Sequence, residues 1–253
     1  MVYTKIITIV LGGLGLLLPF TSFAYSNTAT HPVLTEEIVT LYNTWYPEDA
    51  LSNQEKEWVI EGSVSEDIVP RPLNHLYDPI HHHGWTGVDA GWSGGLLTRI
   101  FSVLALLPDK ARSAIEWLQD DITQEAYGRY GGNRSWQSGM RYSANGETQK
   151  ASQVLGSALH LLEDLGVPDH TRDDTHYHAV GWLTGDPGSP YESYTKRYSR
   201  ENAPGFTSTL SSRKNDVPLL SQPSGYLETI ARYSNASFFS RDTIKDERFA
   251  LPK

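Results

Sequence analysis

Apolar residues recur along most of this chain at the three-and-four spacing of a helix buried on one side, and few stretches alternate as a strand would. In VLTEEIVTLYNTW, Ile38, Leu41, Tyr42 and Trp45 fall at helical spacing, with Thr35 as the expected N-cap before Glu36 and Glu37. SNQEKEWVIEG predicts a second helix that stops at Gly62. Leu96, Leu97, Ile100, Phe101 and Leu104 predict a third over 92–106, interrupted by Pro108. DKARSAIEWLQDDITQEAYGR resumes the pattern through Ala114, Ile115, Leu118 and Ile122, and a polar, glycine-rich loop is expected from about 130 to 146.

TQKASQVLGSALHLLEDLG then carries Leu155, Leu159 and Leu162 as an apolar stripe, ended by Gly166 and Pro168. Residues 183–225 are rich in Gly, Pro and Ser and read as loop, with a short helix near Tyr191 to Arg197. GYLETIARYSNASFF supplies a last helix. The pattern predicts an all-α, single-domain fold with no internal repeat.

The first two dozen residues stand apart. MVYTKIITIVLGGLGLLLPFTSFA has Lys5, an apolar run from Ile6 to Phe20, and small residues ending at Ala24. That is the layout of a signal peptide over 1–24, which predicts export to the periplasm or medium and a mature domain over 25–253. The run is too short, and too broken by Gly12, Gly13, Gly15 and Pro19, for a membrane anchor. DERFALPK follows the last helix abruptly, which leaves room for a further C-terminal region. Net charge is −9, which argues against a broad basic grip on nucleic acid. Cysteine is absent, so a transition-metal site would use His, Asp, Glu or a chain terminus.

The histidines lie between positions 31 and 178. His160 and Asp164 are four apart on one helix and project from the same side. His170 follows beyond the stiff Val167-Pro168 turn, and His-x3-Asp-x5-His offers three convergent donors suited to Zn²⁺. HHHGW, beginning at His81, reads as a polar loop rimming a cleft rather than a further metal tract. Glu163 is expected in solvent. Asp173 and Asp174 either orient neighbouring imidazoles or cap a turn, and Trp85, Trp92 and Trp182 either line a groove or anchor core and loops.

ALHLLEDLGVPDH resembles the histidine–aspartate–proline–histidine element of the zinc-dependent bacterial phospholipases C and the related fungal single-strand nucleases. EGSVSED followed by NHLYDP is similar to the segment that precedes it in the phospholipases, and Thr30-His31 resembles the family's N-terminal histidine. The elements stand in family order from residue 30 to residue 192. The resemblance implies a multi-helix bundle with two to three zinc ions in a cleft. Asp164 would bridge two ions, one also held by His75, His160 and Asp67, the other by His31 and the mature α-amino group. His170, a later histidine and Glu192 would hold the third.

This chain departs from the family at three points. Gly188 stands where the family has that later histidine, so His176 is the nearest substitute and His178 the next. Cleavage after Ala24 leaves Tyr25 only a short way ahead of His31. The segment between Asp67 and His75 is shorter than in the family, so Glu61 and Glu66 rival Asp67 for its role.

Such a site is matched to phosphodiester hydrolysis, with water acidified by zinc as nucleophile and Asp67 as either ligand or base. The chain has no cysteine and no Gly-x-Ser-x-Gly elbow to suggest a covalent intermediate. The leading expectation is an exported phospholipase C-type hydrolase acting on a phospholipid, with transient contact at a membrane surface. The alternatives are a nuclease or nucleotidase using the same ions, and a metal-stabilised binding domain without catalysis.

Overall fold

The structure is a computed structural model that describes residues 29–68, 70–86, 111–174, 176, 188–197 and 206–252. The expected signal segment, Tyr25, the helix over 92–106, Trp92, Trp182 and His178 lie outside these residues. Among the described residues the regular elements are all helical: α1 (Thr30–Trp45), α2 (Asn53–Glu66), α3 (Ala114–Gln119), α4 (Asp121–Glu125), α5 (Trp136–Ala144), α6 (Thr148–Asp164), α7 (Pro168–Thr171), α8 (Pro190–Thr195), α9 (Phe206–Leu210) and α10 (Pro223–Ser237), with short 3₁₀ turns between them. The fold is all-α, as the periodicity predicts. Asp78 and His83 form an isolated antiparallel bridge. No described helix is long and apolar enough to cross a membrane.

Several ends are fixed by local chemistry. Ser52 and Glu55 form a reciprocal capping box at the start of α2, and Ser113 and Glu116 form another at α3. Asp120 breaks the helix expected across 109–129: it leaves helical geometry and caps α4 by accepting the Thr123 N–H at 2.8 Å. Ile122, expected on the apolar side, is exposed. Thr35 is no N-cap, because α1 begins a turn and a half earlier at Thr30. The loop expected over 130–146 contains α5, whose Ser135 cap accepts from Ser138 and whose Trp136 packs on the core. Between 183 and 225, α8 matches the expected short helix, and α9 with the 3₁₀ turn Ser211–Asp216 adds helix where loop was expected.

Helix α2 continues past Gly62 to Glu66, and the reason is packing rather than capping. A Cβ on Gly62 would lie 2.1 Å from the Gln153 carbonyl oxygen of α6, and one on Gly156 would lie 1.9 Å from the Val59 carbonyl oxygen of α2. The two glycines face across the helix pair and let the backbones touch. Here the Gly62 carbonyl accepts from Arg134 at 3.0 Å and from Ser157 at 3.3 Å. This close approach sets the end of α2 beside the last two turns of α6.

The core gathers Tyr77, Trp117, Leu118, Tyr127, Ala158, Leu161, Leu165, Leu227 and Ala231. The buried apolar line of α6 is therefore Val154, Ala158, Leu161 and Leu165, while Leu155, Leu159 and Leu162 are only partly covered. Helix α10 closes on α7: Asn235 donates to the Thr171 carbonyl at 2.6 Å and Ser234 to that of Gly166 at 3.1 Å. The buried Arg172 guanidinium donates to the Asn235 and Ala250 carbonyls, which draws the C-terminal segment over the chain that carries His170.

Candidate metal centre

Leu161 and Leu165 turn one side of α6 to the core, and His160 and Asp164 project from the adjoining side onto the ends of α1 and α2. Five segments meet there: His31 from the first turn of α1, Asp67 just past α2, His75 after the 3₁₀ turn Arg71–Asn74, His160 and Asp164 from α6, and His170 from α7. All are buried. Asp164 Oδ2 lies 2.7 Å from His75 Nδ1, 3.2 Å from His160 Nε2 and 3.8 Å from His170 Nδ1, and Oδ1 lies 3.3 Å from His31 Nε2. Asp67 Oδ1 lies 3.5 Å from His160 Nε2 and 3.9 Å from His75 Nδ1. The His31 and His160 rings stack at 3.8 Å.

A second group adjoins the first. His176 Nε2 lies 2.8 Å from Glu192 Oε1, and His170 Nε2 lies 3.6 Å from the same oxygen. Ser189 caps α8 by accepting the Glu192 N–H and donates to Asp169 at 2.9 Å, which fixes the turn that delivers Glu192. Gly188 has φ +78°, a left-handed conformation that a histidine would adopt only with strain. His176 stands beside His170 instead, with ring centroids 5.0 Å apart. Its Nδ1 donates to the Asp174 carbonyl at 2.9 Å, which fixes the ring with Nε2 toward Glu192.

His31, Asp67, His75, His160, Asp164, His170, His176 and Glu192 thus fall in two adjoining buried groups. His31, Asp67 and His160, then His75, His160 and Asp164, and separately His170, His176 and Glu192, each place one donor atom per residue within 4.8 Å of the others. These groups could hold metal ions. His75 Nε2, His160 Nδ1, both Asp164 oxygens, His170 Nε2, His176 Nε2 and Glu192 Oε1 are buried without a hydrogen bond of acceptable geometry. Held in ion-pair contact but without well-formed hydrogen bonds, these atoms crowd around Asp164 and Glu192, an arrangement that fits a cation shared among them. Imidazole and carboxylate without thiolate are donors that suit zinc.

The electrostatics point the same way. Burial lowers the pKa of His31, His75 and His160, yet each is raised overall: Asp164 and Glu163 act on His31, Asp164 and Glu66 on His75, and Asp164 with Asp67 on His160, which stands well above the imidazole range. Burial would raise Asp164, but His160 and His170 hold it well below the carboxylate range. His176 and His170 overcome burial to bring Glu192 down to about 2. The carboxylates of this interior therefore draw positive charge, as protons on imidazole or as a metal that displaces them.

The residues behind the donors were the ones sequence reasoning missed. Glu163, expected in solvent, is buried and accepts from His31 Nδ1 at 2.6 Å and from Thr35 at 2.9 Å. The signal was there: His31 and Thr35 are four apart, so both face α6. Of the rivals to Asp67, Glu61 is exposed. Glu66 is buried but committed elsewhere, accepting from Arg71 at 2.7 Å and Trp117 Nε1 at 2.8 Å, with His75 Nε2 3.8 Å away. The Asp173 and Asp174 carboxylates do not reach the imidazoles of these two groups through hydrogen bonds: Asp173 accepts from Thr86, and Asp174 from the Asp242 N–H. Trp85 is half-buried on its loop.

No family model matches the chain, and no curated protein matches it. Among solved structures, it is similar to the alpha toxin from Clostridium absonum, with a TM-score of 0.46 and 17% identity over 82% of this chain. The chain spans about half of that structure, 53% of its length.

Proposed function

We propose that this chain is an exported zinc-dependent phosphodiester hydrolase of the phospholipase C type, acting on a phospholipid. The observation that carries the reading is the convergence of His31, His75, His160 and His170 nitrogens on the two oxygens of one buried aspartate, Asp164. Asp164 would bridge two ions, with His75, His160 and Asp67 completing one and His31 contributing to the other. His170, His176 and Glu192 would hold a third. When bound, zinc acidifies water and neutralises charge on a phosphate oxygen.

The chain's own residues then orient and shuttle. Glu163 holds the His31 ring through Nδ1, and the Glu66–Arg71–Trp117 network walls in His75 from behind. Asp67, next to His160 and past the end of a rigid helix, is the carboxylate assigned to orient the attacking water or take its proton. The likeness of NHLYDP to the phospholipase segment, together with the net negative charge, supports a lipid phosphodiester over a polynucleotide. Layout of the first 24 residues supports export.

Elemental analysis of the purified chain, with its amino-terminal sequence, tests the centre: two to three zinc ions per chain and an N-terminus at Tyr25 are expected. Phosphatidylcholine vesicles should release phosphocholine in a chelator-sensitive reaction. Release of nucleotides from single-stranded DNA with no head-group release would overturn the lipid assignment. Zinc without turnover of either substrate would leave a metal-stabilised domain, and no tightly bound metal would overturn the centre itself.

A further inference from the structure

A separate set of donors sits on the surface turn that follows His75. Asp78 Oδ1 accepts the N–H of Ile80 at 2.8 Å and of His81 at 3.2 Å, the Asp78 carbonyl accepts from His82 N–H at 2.8 Å, and the Asp78 N–H donates to the His83 carbonyl at 2.9 Å. These bonds close the chain on itself and hold His82 at φ +56°. A left-handed histidine costs roughly 1–2 kcal/mol and is kept only where the surroundings impose it.

The turn brings His81 and His83 side by side, rings near parallel at 5.8 Å, with His81 Nδ1 2.5 Å and His83 Nε2 3.9 Å from Asp78 Oδ2. The three donor atoms lie within 4.8 Å of one another. His83 Nδ1 is bonded to the Gly84 carbonyl at 2.7 Å. A carbonyl only accepts, so Nδ1 carries a proton there, and Nε2 is the ring nitrogen on the side of the Asp78 carboxylate. Anchoring the far ring nitrogen on a carbonyl is also how a ligating imidazole is oriented. The Asp78 side chain is 1% exposed, whereas His81 and His83 are 42% and 37% exposed, so the anchor is fixed and the imidazoles are reachable from solvent.

We propose that Asp78, His81 and His83 form a further divalent-cation site of the zinc and nickel class, distinct from the Asp164 centre. Two imidazoles and one carboxylate are borderline donors that leave the remaining positions to water. Donors bonded to one tetrahedral ion sit roughly 3.3 Å apart. Small opposite shifts of His81 and His83 about the fixed carboxylate reach that spacing. Asp246 bears on His81 from the C-terminal segment, while Arg248 is tied to Asp246 at 2.7 Å and lies 3.9 Å from Asp173. The Tyr77 N–H donates to the His170 carbonyl at 2.9 Å, so an ion here would pin a turn joined to the segment that carries His170.

The test is calorimetric titration of ZnCl₂ into the full chain already loaded at its tight sites, beside the double variant His81→Ala, His83→Ala. The wild type should take up one more, weaker equivalent, and its affinity should fall at least about tenfold in the variant. Both rings are substantially exposed, so circular dichroism should match. A second readout needs no variant: substoichiometric Ni²⁺ should selectively broaden the imidazole resonances of His81 and His83. Equal zinc uptake by both proteins, or rings untouched by Ni²⁺, overturns the site, whatever the Asp164 centre proves to hold.

Discussion

The Asp164 centre and the Asp78 turn are built from the same two residue types, and they differ in how the donors meet. Around Asp164 the donors are buried and come from three stretches far apart in sequence, at 31, at 67–75 and at 160–170. They meet because α2 and α6 pack with backbones touching at Gly62 and Gly156. On the turn, three donors come from one short stretch, gathered by four local hydrogen bonds, with both imidazoles reaching solvent. Burial makes unbalanced charge expensive in the first case, so the centre and the fold depend on each other. Water screens the second, so filling or emptying the turn should change the stability of the fold little.

The comparison breaks most visibly at Asp164. Replacing it as Asp164→Asn leaves buried imidazoles without their shared carboxylate and should cost roughly 3–5 kcal/mol, read as a lower urea midpoint, together with loss of the chelator-sensitive part of the melting temperature. If the variant melts like the wild type with and without chelator, the centre is not coupled to the fold. Gly156→Ala probes the packing that assembles it: a Cβ at 1.9 Å from the Val59 carbonyl forces α2 and α6 apart and should destabilise by roughly 1–3 kcal/mol or more. Weaker metal retention should accompany it, and full retention at reduced stability would separate helix packing from the centre.

Smallest of all should be His81→Ala. An exposed imidazole held by local bonds should change stability by no more than roughly 0.5 kcal/mol, measured by the same urea midpoint. A large loss would mean that the turn supports the fold after all.

Much of this was legible because helical periodicity is a local property. α1 and α6 follow from apolar spacing, and α2, α8 and α10 also stand where the sequence predicts helix, whereas the expected cap at Thr35 lies inside α1. The failures have tertiary causes. Gly62 looked like a helix end, but its missing side chain serves the contact with α6. The polar α5 is a helix because Trp136 reaches the core and α5 lies against α6, a gain that 130–146 does not advertise by itself.

The sequence by itself determined the helical class and the residues able to act as donors, because periodicity and side-chain chemistry are written residue by residue. Tertiary structure decided the rest. It placed Glu163 behind His31 rather than in water, gave Glu66 to Arg71 and Trp117 and left Asp67 facing His160, and put His176 beside His170 where Gly188 has the wrong backbone for a histidine. Each of those outcomes depends on which segment packs against which, and burial then fixes which polar groups must satisfy one another.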